Sequence, residues 1–178
     1  MSGAEPNLVL IGLRGSGKST LGVRLAESLG RGFVDLDDVS ARLLGESGAG
    51  DAIANHGMEA FRRAECDALG SVLGESDQVI ALGGGTPTAA GCEELLSGDG
   101  CRVLYLKAMP ETLRERLSKA DNSDRPSLTG GDVVDEVGAV FELRDPFYMG
   151  IAESIVHTDG VSEDSVLAAL LAIAKAGV

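Results

Sequence analysis

A chain of 178 residues is long enough for one domain that buries roughly 70% of the surface its unfolded form exposes. Its net charge of −13 argues against a nucleic-acid partner, since such binding rests on Lys and Arg neutralising phosphates. No run of about 18 apolar residues occurs, and the opening Met-Ser-Gly-Ala-Glu-Pro lacks the charged and apolar regions of a signal peptide. A soluble, cytoplasmic protein without a membrane partner is therefore expected.

Cys66, Cys92 and Cys101 form no Cys-x-x-Cys pair, and with His56 and His157 they make no zinc set of usual spacing. They are expected to be small core or surface residues.

The first element, Leu8 to Ile11, is too short and too apolar for an exposed helix and reads as a strand buried on both faces. Gly12, four residues, then Gly17-Lys18-Ser19 follow it and match G-x-x-x-x-G-K-[ST]. Glycines there let backbone N–H groups turn inward around a phosphate seated on the N-terminus of the next helix, 21 to 29. In that geometry Lys18 reaches the β- and γ-phosphates and the Ser19 hydroxyl ligates Mg2+. On this reading Gly12, Arg14, Gly15, Ser16, Gly17, Lys18, Ser19 and Thr20 bind ATP. An acidic protein repels such a ligand at long range, so its positive charge must be concentrated locally. Eleven of the fifteen basic residues are arginine, the side chain suited to bidentate grips on carboxylate and phosphate.

Gly32 to Asp38 reads as a short strand ending in three carboxylates, at the end of a parallel sheet where ligands bind. Asp35 and Asp37 point the same way if the strand stays extended to Asp37. One can hold Mg2+ through water while the other takes a proton from an acceptor hydroxyl. The alternative is that Asp37 and Asp38 cap a helix beginning near Val39. A turn and a short helix near Asp51 to Asn55 come next.

Met58 to Leu73 has Phe61, Ala64, Leu69, Val72 and Leu73 at helical spacing. Arg62 and Arg63 near its start oppose the helix dipole, which suits an anion-binding role. The alternative is a solvated pair, with Arg63 reaching Asp67. Gln78 to Leu82 is a second buried strand, followed by Gly83, Gly84 and Gly85. A turn needs one or two glycines; three favour close approach of backbone to a ligand.

Cys101 to Lys107 is a further strand, and Pro110 starts a helix whose Arg114 or Arg116 can lie against a nucleotide base. The thirteen polar residues Lys119 to Gly131 exceed an ordinary connection and read as a lid or as disorder. A lid would bring Arg125 to the transferring phosphate and exclude water. A helix over 133 to 144 ends or kinks at Arg144-Asp145-Pro146. Ser154 to Thr158 is the last strand, in which His157 serves packing or the loop. Ser162 caps the last helix. Strands alternating with helices specify a three-layer α/β/α fold with a parallel five-stranded sheet.

The ordered set of motifs resembles the shikimate kinases, small P-loop kinases of the nucleoside monophosphate kinase type. It comprises G-L-R-G-S-G-K-S-T at 12–20, F-V-D-L-D at 33–37, F-R-R at 61–63, G-G-G at 83–85, R-P at 125–126 and R-D-P-F-Y at 144–148. The resemblance implies a P-loop kinase fold with a mobile lid at 119–131 and an acceptor-binding segment at 35–63. It implies phosphoryl transfer from MgATP to the 3-hydroxyl of shikimate. In its terms Asp37 activates the acceptor hydroxyl, Asp35 orients Mg2+ through water, and Arg62 and Arg144 grip the substrate carboxylate. Gly83, Gly84 and Gly85 contact the acceptor, Arg125 is the lid arginine, and Arg116 lies beside the adenine. A monomer is the expected state.

The chain departs from the family at Ala49, Ala52, Ile53, Gly57-Met58 and Ser127, changes that alter the pocket's walls and spare its charged groups. The rival readings are a kinase of another hydroxy acid such as gluconate, and a nucleotide-binding relative without an acceptor site.

Overall fold

Strand β1 (Asn7–Ile11) is buried along its whole length because it is the middle strand of its sheet. A computed structural model describes residues 5–120 and 133–176. After β1 come α1 (Lys18–Leu29), β2 (Gly32–Asp35), α2 (Leu36–Leu43), α3 (Ala49–His56) and α4 (Met58–Leu73). The chain continues with β3 (Gln78–Ala81), a 3-10 turn (Thr86–Thr88), α5 (Cys92–Leu96), β4 (Cys101–Lys107) and α6 (Pro110–Lys119). It ends with α7 (Val133–Ile151), β5 (Ser154–His157) and α8 (Glu163–Ala176).

The strands lie in the order β2-β3-β1-β4-β5, every neighbouring pair parallel. Alternation along β1 divides the core. Leu8 and Leu10 pack with Leu21 and Leu25 of α1 and with Val166 and Leu170 of α8 on one face. Val9 and Ile11 pack on the other face with Leu69 of α4, Leu113 and Leu117 of α6, and Val137 and Tyr148 of α7. The α/β/α layering expected from the element order is thus present.

Several boundaries differ from the sequence reading. The second strand stops at Asp35, not Asp38, and α2 begins at Leu36. The Asp35 carboxylate caps it by accepting the Asp37 N–H at 3.1 Å, while Leu36 drops fully into the core. Asp38 is therefore not the cap, and Asp35 and Asp37 are not alternate residues of one strand. Helix α7 does not end at Arg144. It runs through Pro146 to Ile151, because contacts on both sides of the proline hold it: Asp145 with Tyr105 and Lys107, and Arg144 and Tyr148 with Gly84. These outweigh a penalty of roughly 3 kcal/mol for proline inside a helix. The Ser162 cap is as expected, its Oγ accepting the Ser165 N–H at 3.2 Å. Arg125, Ser127 and all but the start of the proposed lid lie outside the described residues.

Candidate active site

The loop from β1 to α1 is shaped by Gly12, Gly15 and Gly17, all at positive φ. At Gly12 no side chain fits, since a Cβ would stand 2.6 Å from both the Leu106 carbonyl oxygen and Ser16 Oγ. Lys18 curls back over this loop, its Nζ donating to the carbonyls of Gly12 at 2.7 Å and Leu13 at 3.0 Å. Ser19 Oγ donates to Asp35 Oδ2 at 2.8 Å, which joins the helix start to the end of β2. Thr20 is exposed at the start of α1.

Arg116, from the last turn of α6, donates to the Gly15 carbonyl at 3.2 Å and to Thr158 Oγ1 and O at 3.0 and 2.8 Å. It thereby ties the phosphate loop to the loop after β5.

Beside the phosphate loop opens a cleft. Leu13, Arg14, Asp37, Arg62, Glu65, Gly83, Gly84, Gly85 and Arg144 supply its polar and backbone lining. Ala49, Ile53, Met58 and Phe61 form one apolar wall, and Leu113, Leu117, Val137 and Val140 another. Residues read as one constellation from sequence thus converge from α2, α4, the loop after β3, and α7. Asp37 is nearly buried, at 6% exposure. Gly83 lets it in: a Cβ there would lie 2.3 Å from Asp37 Oδ1. Gly85 does the same for Arg62, whose Nη2 would be 2.1 Å from a Cβ. Arg144 Nη1 donates to the Gly84 carbonyl at 2.7 Å.

Three polar residues under this cleft were given no role from the sequence. Glu65 is fully buried and pairs with Arg62 while accepting the Thr86 hydroxyl. Burial raises the Glu65 pKa, and the Arg62 charge and the Thr86 hydrogen bond oppose the shift. Tyr148 is fully buried and donates to the Gly84 carbonyl. A signal did exist for Glu65, an acid on the same helical stripe as Phe61, Ala64 and Leu69. None marked Thr86, and Tyr148 was marked only as the last residue of R-D-P-F-Y at 144–148. Arg63 bonds Glu59 at 2.8 Å, not Asp67, and points away to solvent.

A glycine loop leading from a buried parallel strand into a helix that opens Lys18-Ser19, on an α/β/α sheet, defines a P-loop kinase. A family model described as shikimate kinase matches residues 14–175, and the chain belongs to that family. It is 39% identical over 165 residues to the shikimate kinase of Symbiobacterium thermophilum, covering 93% of this chain and 94% of that one. Against the shikimate kinase of Mycobacterium tuberculosis it is 37% identical over 167 residues, covering 93% and 92%. Among solved structures, the shikimate kinase of Acinetobacter baumannii in complex with shikimate superposes with a TM-score of 0.87 at 28% identity, covering 97% of this chain and 94% of that one. ATP as co-substrate follows from the family.

Proposed function

We propose that this protein transfers the γ-phosphoryl group of ATP to the 3-hydroxyl of shikimate. The observation that carries the reading is the single cleft in which Asp37, Arg62, Gly83 to Gly85 and Arg144 line one wall next to the phosphate loop. Arg62 and Arg144 grip the acceptor's carboxylate. Charge-assisted hydrogen bonds are worth roughly 1.5–3 kcal/mol each, enough to hold an anion inside a protein of net charge −13. The Gly83–Gly85 backbone packs against the ring, where no side chain would leave room.

Asp37 accepts the proton of the hydroxyl as its oxygen forms the new bond to phosphorus, and the bond to the bridging oxygen of ADP breaks. Lys18 and the loop N–H groups hold the phosphates in line. Arg125 joins them from the lid in this proposal, and Arg116 lies beside the adenine.

Ser19 Oγ and Asp35 Oδ2 meet at 2.8 Å, two hard oxygen donors of the kind Mg2+ takes, so these residues fit a magnesium site. Bound there, Mg2+ supplies positive charge against the phosphate oxygens. The proposal extends to a single-domain cytoplasmic monomer. Among the described residues no helix is long and apolar enough to cross a membrane.

Release of ADP that depends on added shikimate tests the whole reading, and preference for another hydroxy acid would overturn the choice of acceptor. Asp37→Asn should abolish turnover while ADP still binds by calorimetry. Turnover equal to the native chain would remove Asp37 from the role of base.

A further inference from the structure

Arg144 and Tyr148 are four residues apart on α7, so both project from one face of the helix. They donate to one acceptor, Arg144 Nη1 to the Gly84 carbonyl oxygen at 2.7 Å and the Tyr148 hydroxyl to the same oxygen. A carbonyl oxygen carries two lone pairs, and α7 supplies a donor to each. The backbone held in this way runs between the two cleft arginines. A Cβ at Gly84 would stand 3.6 Å from Arg144 Nη1, and one at Gly85 2.1 Å from Arg62 Nη2. Rotation of this peptide therefore moves the oxygen to which Arg144 donates.

Tyr148 is well anchored for such a task. Its ring is fully buried and meets Tyr105 edge-on, centroids 5.2 Å apart and planes at 80°. The Tyr105 hydroxyl donates to Asp145 Oδ1 at 2.9 Å, and Lys107 Nζ pairs with the same carboxylate at 2.8 Å. Asp145 is the chain neighbour of Arg144, so β4 braces this stretch of α7. Burial pushes the Tyr148 hydroxyl up to about 12 against the opposing charge and hydrogen bond of Arg144, which keeps it a proton donor throughout the neutral range.

We propose that Tyr148 is a positioning residue of the acceptor site: its hydroxyl fixes the Gly84 carbonyl and, through it, the direction in which Arg144 faces the acceptor's carboxylate. Packing alone would be met by phenylalanine. The inference rests on the acceptor reading given above, and its test separates the two.

Tyr148→Phe keeps the ring and its contact with Tyr105 and removes only the donor. The expected result is a rise in shikimate KM of about five- to tenfold, the net worth of one neutral hydrogen bond, with kcat and ATP KM changed by less than about twofold. In an Arg144→Lys background the same substitution should change shikimate KM by less than about twofold, because the hydroxyl acts through the arginine.

An unchanged shikimate KM overturns the proposal. So does a parallel rise in ATP KM, which would mark a general structural defect, or a full effect that persists beside Arg144→Lys. Failure of the native chain to release ADP with shikimate sinks the acceptor reading instead. Should Tyr148→Phe not fold, 3-fluorotyrosine in the native chain gives two fluorine resonances, one for each tyrosine, with Tyr105→Phe assigning them. The Tyr148 signal should move on saturation with shikimate and stay in place with ADP; a signal unmoved by shikimate overturns the inference.

Discussion

Arg62 and Glu65 lie one turn apart on α4 with opposite exposure. The arginine opens into the cleft at 25% side-chain exposure and the glutamate is sealed beneath it at 0%. Removing one partner of such a pair strands the other, so Glu65 is bound up with the orientation of Arg62. Its burial also sets a pH dependence. A carboxyl whose folded pKa is raised above its unfolded value costs stability above the folded pKa, and the cost vanishes as pH falls through that value to the ordinary carboxylate range of about 4.3. Glu65→Gln abolishes this titration. The native chain should therefore gain stability relative to Glu65→Gln as pH falls from about 8 to about 4.5 in urea-unfolding series. Parallel curves would mean that Glu65 has no raised pKa. At this scale the phosphate-loop residues and the cleft arginines were readable because their spacing is local. The roles of Glu65, Thr86 and Tyr148 were not, because the buried Glu65–Thr86 bond spans 21 residues and the Tyr148–Gly84 bond 64.

Among the elements, α1 shows how a residue that weakens a helix can be required by its neighbours. Gly22 lies inside it, where alanine would ordinarily be favoured by roughly 1 kcal/mol. A Cβ there would stand 2.6 Å from Phe33 Cε2 on β2 and 3.3 Å from Leu10 Cδ1 on β1. Overpacking of that kind costs about 1–3 kcal/mol and exceeds the gain in propensity. Gly22→Ala should lower the urea midpoint with an unchanged slope; a raised midpoint would show that Phe33 swings aside without cost. The same balance explains α7, where contacts on either side of Pro146 carry the helix past the proline. It explains α2 as well, because burying Leu36 and capping with Asp35 turns the chain three residues earlier than the run of carboxylates suggested.

Across the whole molecule, the charge of −13 surrounds a cleft in which Arg14, Arg62 and Arg144 stand among Asp37, Glu65 and Glu136. Both proposed reactants are anions, so the outer field repels what the cleft attracts. Raising ionic strength from about 0.01 to 0.15 M shortens the screening length from about 30 to 8 Å, which suppresses the distant repulsion more than the close contacts. Shikimate KM should therefore fall over that range in steady-state assays. A rise would show that the cleft's own field governs capture. The chain by itself determined the strands, the phosphate loop and the parallel α/β/α layering, because hydrophobic periodicity and glycine spacing are local properties of sequence, and its ordered motifs carried the resemblance to the family. Only the tertiary structure decided that Asp37 sits in the first turn of a helix, that Glu65 underlies Arg62, and that α7 clamps the Gly84 carbonyl. Those facts depend on which side chains meet across the core, and packing between distant segments fixes them where no local preference can.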